Sequence, residues 1–393
     1  MADARRLHGD ALAAALRDSR RRTLSLVNDL DDLQWQVPQQ DGVNPLAWEL
    51  AHLAWFAEFW VLRRPHHVGG DGFVHAALPA RLAGPDAHFD SSRLAHAERW
   101  STPLPSRRQV MAMLDAQLHA CLRAMPAGDD DAALYFHRLA LFHEDMHGEA
   151  LVWLRASLEH PAPDGAALPC RPAGAPLSVP GAQVQLGWPA GRRGFAFDNE
   201  LPGGSVALPP FEVDAQPISA GAFQRFVDAG GYDTPAFWPG EAGRWRAAQS
   251  RRHPLRWRRS GAAWQLRWFD RWLPLDPDLP LVHVNAFEAE AYCAWAGRRL
   301  PSAAQWEHAA TAAHGFRFGD SVWEWTADAF QPFAGFVPGP YRDYSAPWFG
   351  SHRELRGGAF ATHPRLRDAR YRNFFMPSRA DVFSGFRTVS RGA

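Results

Sequence analysis

The sequence predicts an α+β chain of two domains, an N-terminal four-helix bundle followed by a loop-rich mixed half. Three observations predict it. Apolar residues recur with helical period up to about residue 160, the stretch 161–180 is rich in Pro, Ala and Gly, and beyond it short apolar runs alternate with Gly and Pro turns. The expected division is residues 1–160, a linker 161–180, and residues 181–393. A chain of 393 residues is long for one core and natural for two.

In the first half, Leu12, Leu16, Leu24, Val27 and Leu30 mark the first helix. The segment 45–63 has the strongest period, with Trp48, His52, Trp55, Phe56, Phe59 and Leu62 on one face. Asn44 is its expected N-cap and Pro45 suits its first turn. A third helix is expected from Ser106 to about Met125, and a fourth from Asp130 to about Leu158. In the second half, strands are expected at 183–188 and 211–213, and helices at 219–229, 285–297 and 302–312. Eighteen tryptophans and 25 phenylalanines supply aromatic cores and can line pockets.

Composition narrows the function classes. Lys plus Arg equals Asp plus Glu, at 42 each, which argues against nucleic acid or an acidic membrane as the main partner. There is no 18-residue apolar run and no secretory h-region, so neither a span nor a leader is expected. Cys121, Cys170 and Cys293 are scattered without a CxxC pair. That fits a reducing compartment, and a cytoplasmic location is expected.

The chemistry concentrates in His143-Glu144-Asp145-Met146-His147-Gly148-Glu149. Residues i and i+4 of a helix share a face, so both imidazoles can address one ion. His52 sits in an apolar stripe some ninety residues earlier. A lone histidine on such a face is more often a satisfied core residue. Here the pair follows the inward stripe of Leu139, Ala140 and Ala150, and three buried imidazoles are costly unless something binds them. Three histidines suit iron, and equally a catalytic zinc with an open position. Glu149 either holds a ligand in place or is a solvated helix charge.

The second half carries an ordered set of phrases: Leu281-Val282-His283-Val284-Asn285, Arg299-Leu300-Pro301-Ser302, Val322-Trp323-Glu324-Trp325, Leu355-Arg356-Gly357-Gly358 and Ser384-Gly385-Phe386-Arg387. Over roughly 180–390 these resemble the formylglycine-generating-enzyme domain, which implies a C-type-lectin-like fold. Formylglycine generation itself is not expected, because it depends on cysteines near the end of that domain and none follows Cys293. Trp323, Trp325, Gly357 and Gly358 are expected to be structural.

A DinB-like bundle with His…HxxxHxE joined to this domain resembles the ergothioneine-type sulfoxide synthases. The resemblance implies a mononuclear Fe(II) cofactor held by His52, His143 and His147, with O2 and hercynine as substrates. Within Tyr371-Arg372-Asn373-Phe374-Phe375-Met376-Pro377, Asn373 and Phe374 fall where the family cradles the trimethylammonium group; a cation on an aromatic face is physically sensible, and core packing is the plain alternative. Tyr341 and Tyr344 are candidate proton donors, with turn packing as the alternative.

Around this frame the chain departs from the family. Phe375 stands where users of γ-glutamylcysteine tend to have an acid. Met146 stands where a hercynine-binding Gln is common. Gly148 replaces the usual Gln, and Asp90-Ser91-Ser92-Arg93 replaces an Asn-Ser-Tyr-Tyr-like stretch, making Arg93 a donor-side candidate. These variants resemble the selenoneine synthases, which join hercynine to a selenosugar through a selenoxide. Three rival readings follow from the same residues: a sulfoxide synthase using cysteine or γ-glutamylcysteine, a zinc-dependent thiol transferase, and a non-catalytic lectin-like module.

Overall fold

A computed structural model describes residues 3–172 and 174–391. The chain divides into two compact units. One comprises the residues up to His160 together with Arg193–Phe195; the other comprises Pro161–Arg192 and the chain from Ala196 onward. No helix among the described residues is long and apolar enough to cross a membrane.

The first unit is built on α1 (Gly9–Ser25), α2 (Leu46–Ala57), the single turn α3 (Asp86–Phe89), α4 (Arg107–Arg123) and α5 (Asp131–Ser157). Local chemistry starts the long helices. Ser106 and Gln109 form a capping box on α4, and Asp130 Oδ2 accepts the Ala133 N–H at 2.8 Å to open α5. Every residue of α2 is buried, as its nearly continuous apolar sequence requires. It runs on into a π-helical turn, Glu58–Leu62. Leu12, Leu16, Leu134 and Leu141 join α1 to α5 in one apolar cluster.

Two details differ from expectation. Asn44 does not cap α2; its amide turns inward to Glu49 and Arg99, and Pro45 occupies the capping position without a side-chain bond. The all-helical half also holds a small hairpin, His66–Val68 against Val74–Ala76, with His67 opposite His75. Its Gly69-Gly70-Asp71-Gly72 turn is the sequence signal for it.

The second unit has α6 (Ala220–Asp228), α7 (Gly240–Gln249), α8 (Ala286–Ala296) and α9 (Ala303–Ala312) around short sheets. One four-stranded sheet orders Arg298–Arg299, Val389–Ser390, Phe211–Val213 and Leu177–Val179. The last of these strands lies inside the stretch read as linker. A second orders Asn373–Phe375, Arg353–Arg356, Trp323–Ala329 and Ser384–Gly385. A three-stranded meander spans Trp257–Pro274. Neither α7 nor the meander was expected. α7 buries only Ala242, so it shows no apolar stripe, whereas the alternation of buried Trp264 and Leu266 with their neighbours is a period-2 signal in plain view.

The ordered phrases are packing devices. Trp323 and Trp325 are fully buried, and Trp325 Nε1 donates to the Val284 carbonyl at 2.9 Å. Gly357 has φ +101°, and a Cβ there would meet the Trp306 ring at 3.0 Å. Glu324 accepts from Trp306 Nε1 at 2.8 Å and from Arg387, the arginine of the final phrase, at 2.7 Å.

Candidate metal centre and substrate-binding segment

α2 and α5 bring His52, His143 and His147 together, with ligand atoms all within 4.8 Å of one another. The Nε2 atoms of His52 and His147 lie 3.3 and 3.2 Å from His143 Nε2. Each ring is held from outside. His52 Nδ1 donates to the Phe89 carbonyl at 2.7 Å, and its ring stacks on Trp48 at 4.9 Å and 7°. His147 Nδ1 donates to Glu49 Oε1 at 2.5 Å. The His143 ring lies flat on Phe56.

These outer bonds decide which nitrogen is left. A neutral imidazole that donates through Nδ1 carries its lone pair on Nε2. A proton on His143 Nε2 could satisfy one of the two facing lone pairs but not both. The donor set therefore fits a cation that accepts nitrogen ligands. Burial, and then the charge of His147, lowers His52 to about 3. Burial, with His147 and His52, likewise holds His143 well below the ordinary imidazole range. Both thus favour the neutral form that ligates metal. Burial raises the Glu49 carboxyl, but the charge and hydrogen bond of His147, with His52 and Asn44, outweigh it and bring Glu49 down to about 2.

The helix turn between the histidines is anchored on its other side. Arg20 of α1 holds Glu144 through Nε at 2.7 Å and Nη2 at 3.1 Å, and Ser19 Oγ donates to Asp145 at 2.8 Å. Gly148, the departure from the family phrase, makes room: a Cβ there would lie 2.6 Å from Arg22 Nη1. Met146 is half-buried beside His147. Glu149 is buried, which removes the solvated-charge reading. A carboxylate on a candidate ligand, His147, is Glu49, which the sequence reading missed. Its signal was available, as the one acid in the apolar helix, three residues before His52.

Arg93 is committed within the same unit. Its Nε donates to Asp90 Oδ2 at 3.1 Å, Nη1 lies 3.6 Å from Asp71, and the guanidinium covers the Phe73 ring at 4.5 Å.

In the second unit, Asn373, Phe374 and Phe375 form a strand paired with Leu355, Glu354 and Arg353. Successive strand residues face opposite sides, so Asn373 and Phe375 share a face and Phe374 takes the other. Phe374 stacks on Phe330 at 4.1 Å and meets the Tyr344 ring edge-on at 5.8 Å. The Arg372 guanidinium sits over that same Phe330, 5.0 Å from its centroid. Asn373 Oδ1 accepts the Phe374 N–H at 2.9 Å, and Arg379 lies over the Phe375 ring at 4.6 Å. Tyr344 stacks on Phe197 at 4.8 Å and its hydroxyl donates to Tyr371 at 3.3 Å; Tyr341 lies 5.8 Å from Tyr344. Burial pushes the Tyr344 hydroxyl well above its ordinary value, so it stays protonated. Ser345 Oγ at 2.5 Å and the Gly339 N–H at 3.3 Å both bind Asp198, which pins the tyrosine-bearing segment at two points.

Comparison with known proteins places both units. Residues 167–321 and 313–392 match the sulfatase-modifying factor enzyme 1-like domain, and residues 15–156 match the DinB superfamily. The hercynine oxygenase of Mycobacterium tuberculosis is 31% identical over 428 residues, covering 96% of this chain and 98% of that protein. That of Mycolicibacterium smegmatis is 31% identical over 435 residues, with the same coverage of 96% and 98%. The formylglycine-generating enzyme of Streptomyces coelicolor is 27% identical over 274 residues, covering 52% of this chain and 85% of its own.

Proposed function

The chain belongs to the hercynine oxygenase family of ergothioneine-type sulfoxide synthases, and from that membership we propose that it is an iron(II)- and O2-dependent enzyme that couples a sulfur-family donor to the imidazole C2 of hercynine. The observation that carries the reading is the convergence of His52, His143 and His147, two of them held so that a lone pair faces the others. These three residues would hold the iron. Bound there with three protein ligands, iron(II) would supply open positions and the capacity to activate O2.

The chain's own residues take the remaining roles. Glu49 keeps His147 in the ligating tautomer. By resemblance Asn373 and Phe374 are assigned to the hercynine ammonium end, where a quaternary cation gains from an aromatic face; because the two side chains leave the strand on opposite faces, the Phe374 ring takes the cation and Asn373 acts through its bond to the Phe374 N–H. Tyr341 and Tyr344 are the candidate proton donors; burial keeps the Tyr344 hydroxyl protonated, and its proton is directed at Tyr371.

Family membership favours a thiol donor, cysteine or γ-glutamylcysteine. A second reading, a selenosugar donor with release of selenoneine, has a specific observation behind it. Within the first unit the charge of Arg93 is already engaged by Asp90, and within the second unit that of Arg379, which covers Phe375, is engaged by Asp381. With Phe375 in place of an acid, that arrangement suits an uncharged sugar better than an amino acid.

The test is incubation of the iron-loaded protein with hercynine, O2 and each donor in turn, read by mass spectrometry. A C2-coupled product is expected in air and not under argon. Coupling to thiol amino acids alone would sink the selenosugar reading. Turnover without O2, or no coupling with any donor, would sink the proposal as a whole.

A further inference from the structure

Two of the three imidazoles are reached from a single side chain outside the triad. Arg99, on the short turn His96–Trp100, donates through Nη1 to Asn44 Oδ1 at 2.7 Å. Asn44 Nδ2 donates to Glu49 Oε2 at 2.6 Å, and the other Glu49 oxygen takes the Nδ1–H of His147 at 2.5 Å. The same guanidinium lies over the Trp48 ring, 4.2 Å from its centroid, and Trp48 lies parallel to His52. Trp48 Nε1 and His52 Nδ1 then donate to successive carbonyls of α3, His88 at 2.8 Å and Phe89 at 2.7 Å. One branch from Arg99 is hydrogen-bonded and ends on His147. The other is stacked and ends on His52.

Each link restricts a ring. A carboxylate bound at both oxygens cannot turn, so the His147 ring plane is set by Glu49, and Glu49 in turn by Asn44. A chain of hydrogen bonds in a buried setting polarises itself, so the charge of Arg99 is felt along it. A planar guanidinium can stack on an indole and donate in its own plane at once, which an ammonium cannot do.

We propose that Arg99, with Asn44 and Glu49, forms a positioning set that orients two of the three ligand imidazoles and so sets the affinity and ligand field of the metal. The inference rests on the reading above that His52, His143 and His147 bind a metal.

The test uses the full-length protein with cobalt(II) as probe, following its visible absorption during titration of wild type, Glu49→Gln, Asn44→Ala, Arg99→Met and Arg99→Lys. Glu49→Gln should weaken cobalt binding about 10–100-fold, the range of outer-shell partners, and Arg99→Met and Asn44→Ala about tenfold, each with an altered cobalt spectrum. Arg99→Lys should not restore the wild-type spectrum. Melting temperatures of the metal-free variants should stay close to wild type; if Arg99→Met fails to fold, Asn44→Ala carries the test. Wild-type affinity and spectrum in both Arg99→Met and Asn44→Ala would overturn the proposal, as would affinity losses that merely track lowered melting temperatures. If wild type itself binds no cobalt, the metal reading and this inference fall together; if wild type binds and the variants match it, only the inference falls.

Discussion

The two units bury polar groups in opposite ways. In the second unit, buried charges close on one another. Glu324 and Arg387 are both fully buried and paired, Glu354 takes Arg356 at 2.6 Å and Arg372 at 2.7 Å, and Glu307 takes Arg356 at 3.0 Å. In the first unit, Arg20 and Glu144 close in the same manner, but the imidazoles of His52, His143 and His147 converge with more acceptors than donors. A buried network that satisfies itself holds a fold together. A buried set of like acceptors around one point is waiting for something the chain does not supply.

The largest effect should come from breaking the open set. His143→Ala should weaken metal binding by about 10²–10³-fold, one ligand's share of the roughly 10–16 kcal/mol seen for multi-ligand sites, and abolish coupling. Cobalt titration and product assays check it; retained wild-type affinity would show that the three imidazoles are a packing feature.

Breaking a closed set should do the reverse. Arg387→Met strands Glu324 in the core and should cost about 3–5 kcal/mol, read as a lowered melting transition, while the folded fraction keeps its metal affinity. Adding Glu324→Gln should recover part of the loss. If metal affinity falls with Arg387→Met, the division drawn above fails.

The third effect separates a structural acid by pH. Burial pushes Glu288 up to about 7 from an ordinary value of 4.5, against the hydrogen bonds from Tyr232 and the Asn285 N–H. Between those pH values the folded chain keeps a proton that the unfolded chain has released. Its contribution is therefore fully present below about pH 4.5, falls by about 3 kcal/mol as pH rises to about 7, and is flat above. Glu288→Gln should remove that slope in urea unfolding compared between pH 5 and pH 8. An unchanged slope would mean that Glu288 is ionised in the fold.

The smallest effect sharpens the donor. Phe375→Asp should shift preference toward thiol amino acids by about tenfold, or 1.4 kcal/mol, in competition assays. No shift would remove Phe375 from the donor side.

Much of this was legible in the chain. The helical period carried α1, α2, α4 and α5, because a one-sided apolar pattern leaves a helix few ways to bury itself. The i,i+4 spacing of His143 and His147 placed them on one helix face by geometry alone, and the ordered phrases of the second half marked its fold. Weakly patterned elements were missed: α7, which buries one residue, and the meander around Trp264. Beyond these, tertiary structure decided the roles. It turned Asn44 from a cap into a partner of Glu49 and Arg99, put Glu49 on His147, and set Phe374 on the opposite face from Asn373 and Phe375. The physical reason is range. Periodicity fixes which side of its own element a residue takes, while the partner it meets there comes from another element, and for Glu49 and His147 that partner lies 98 residues away.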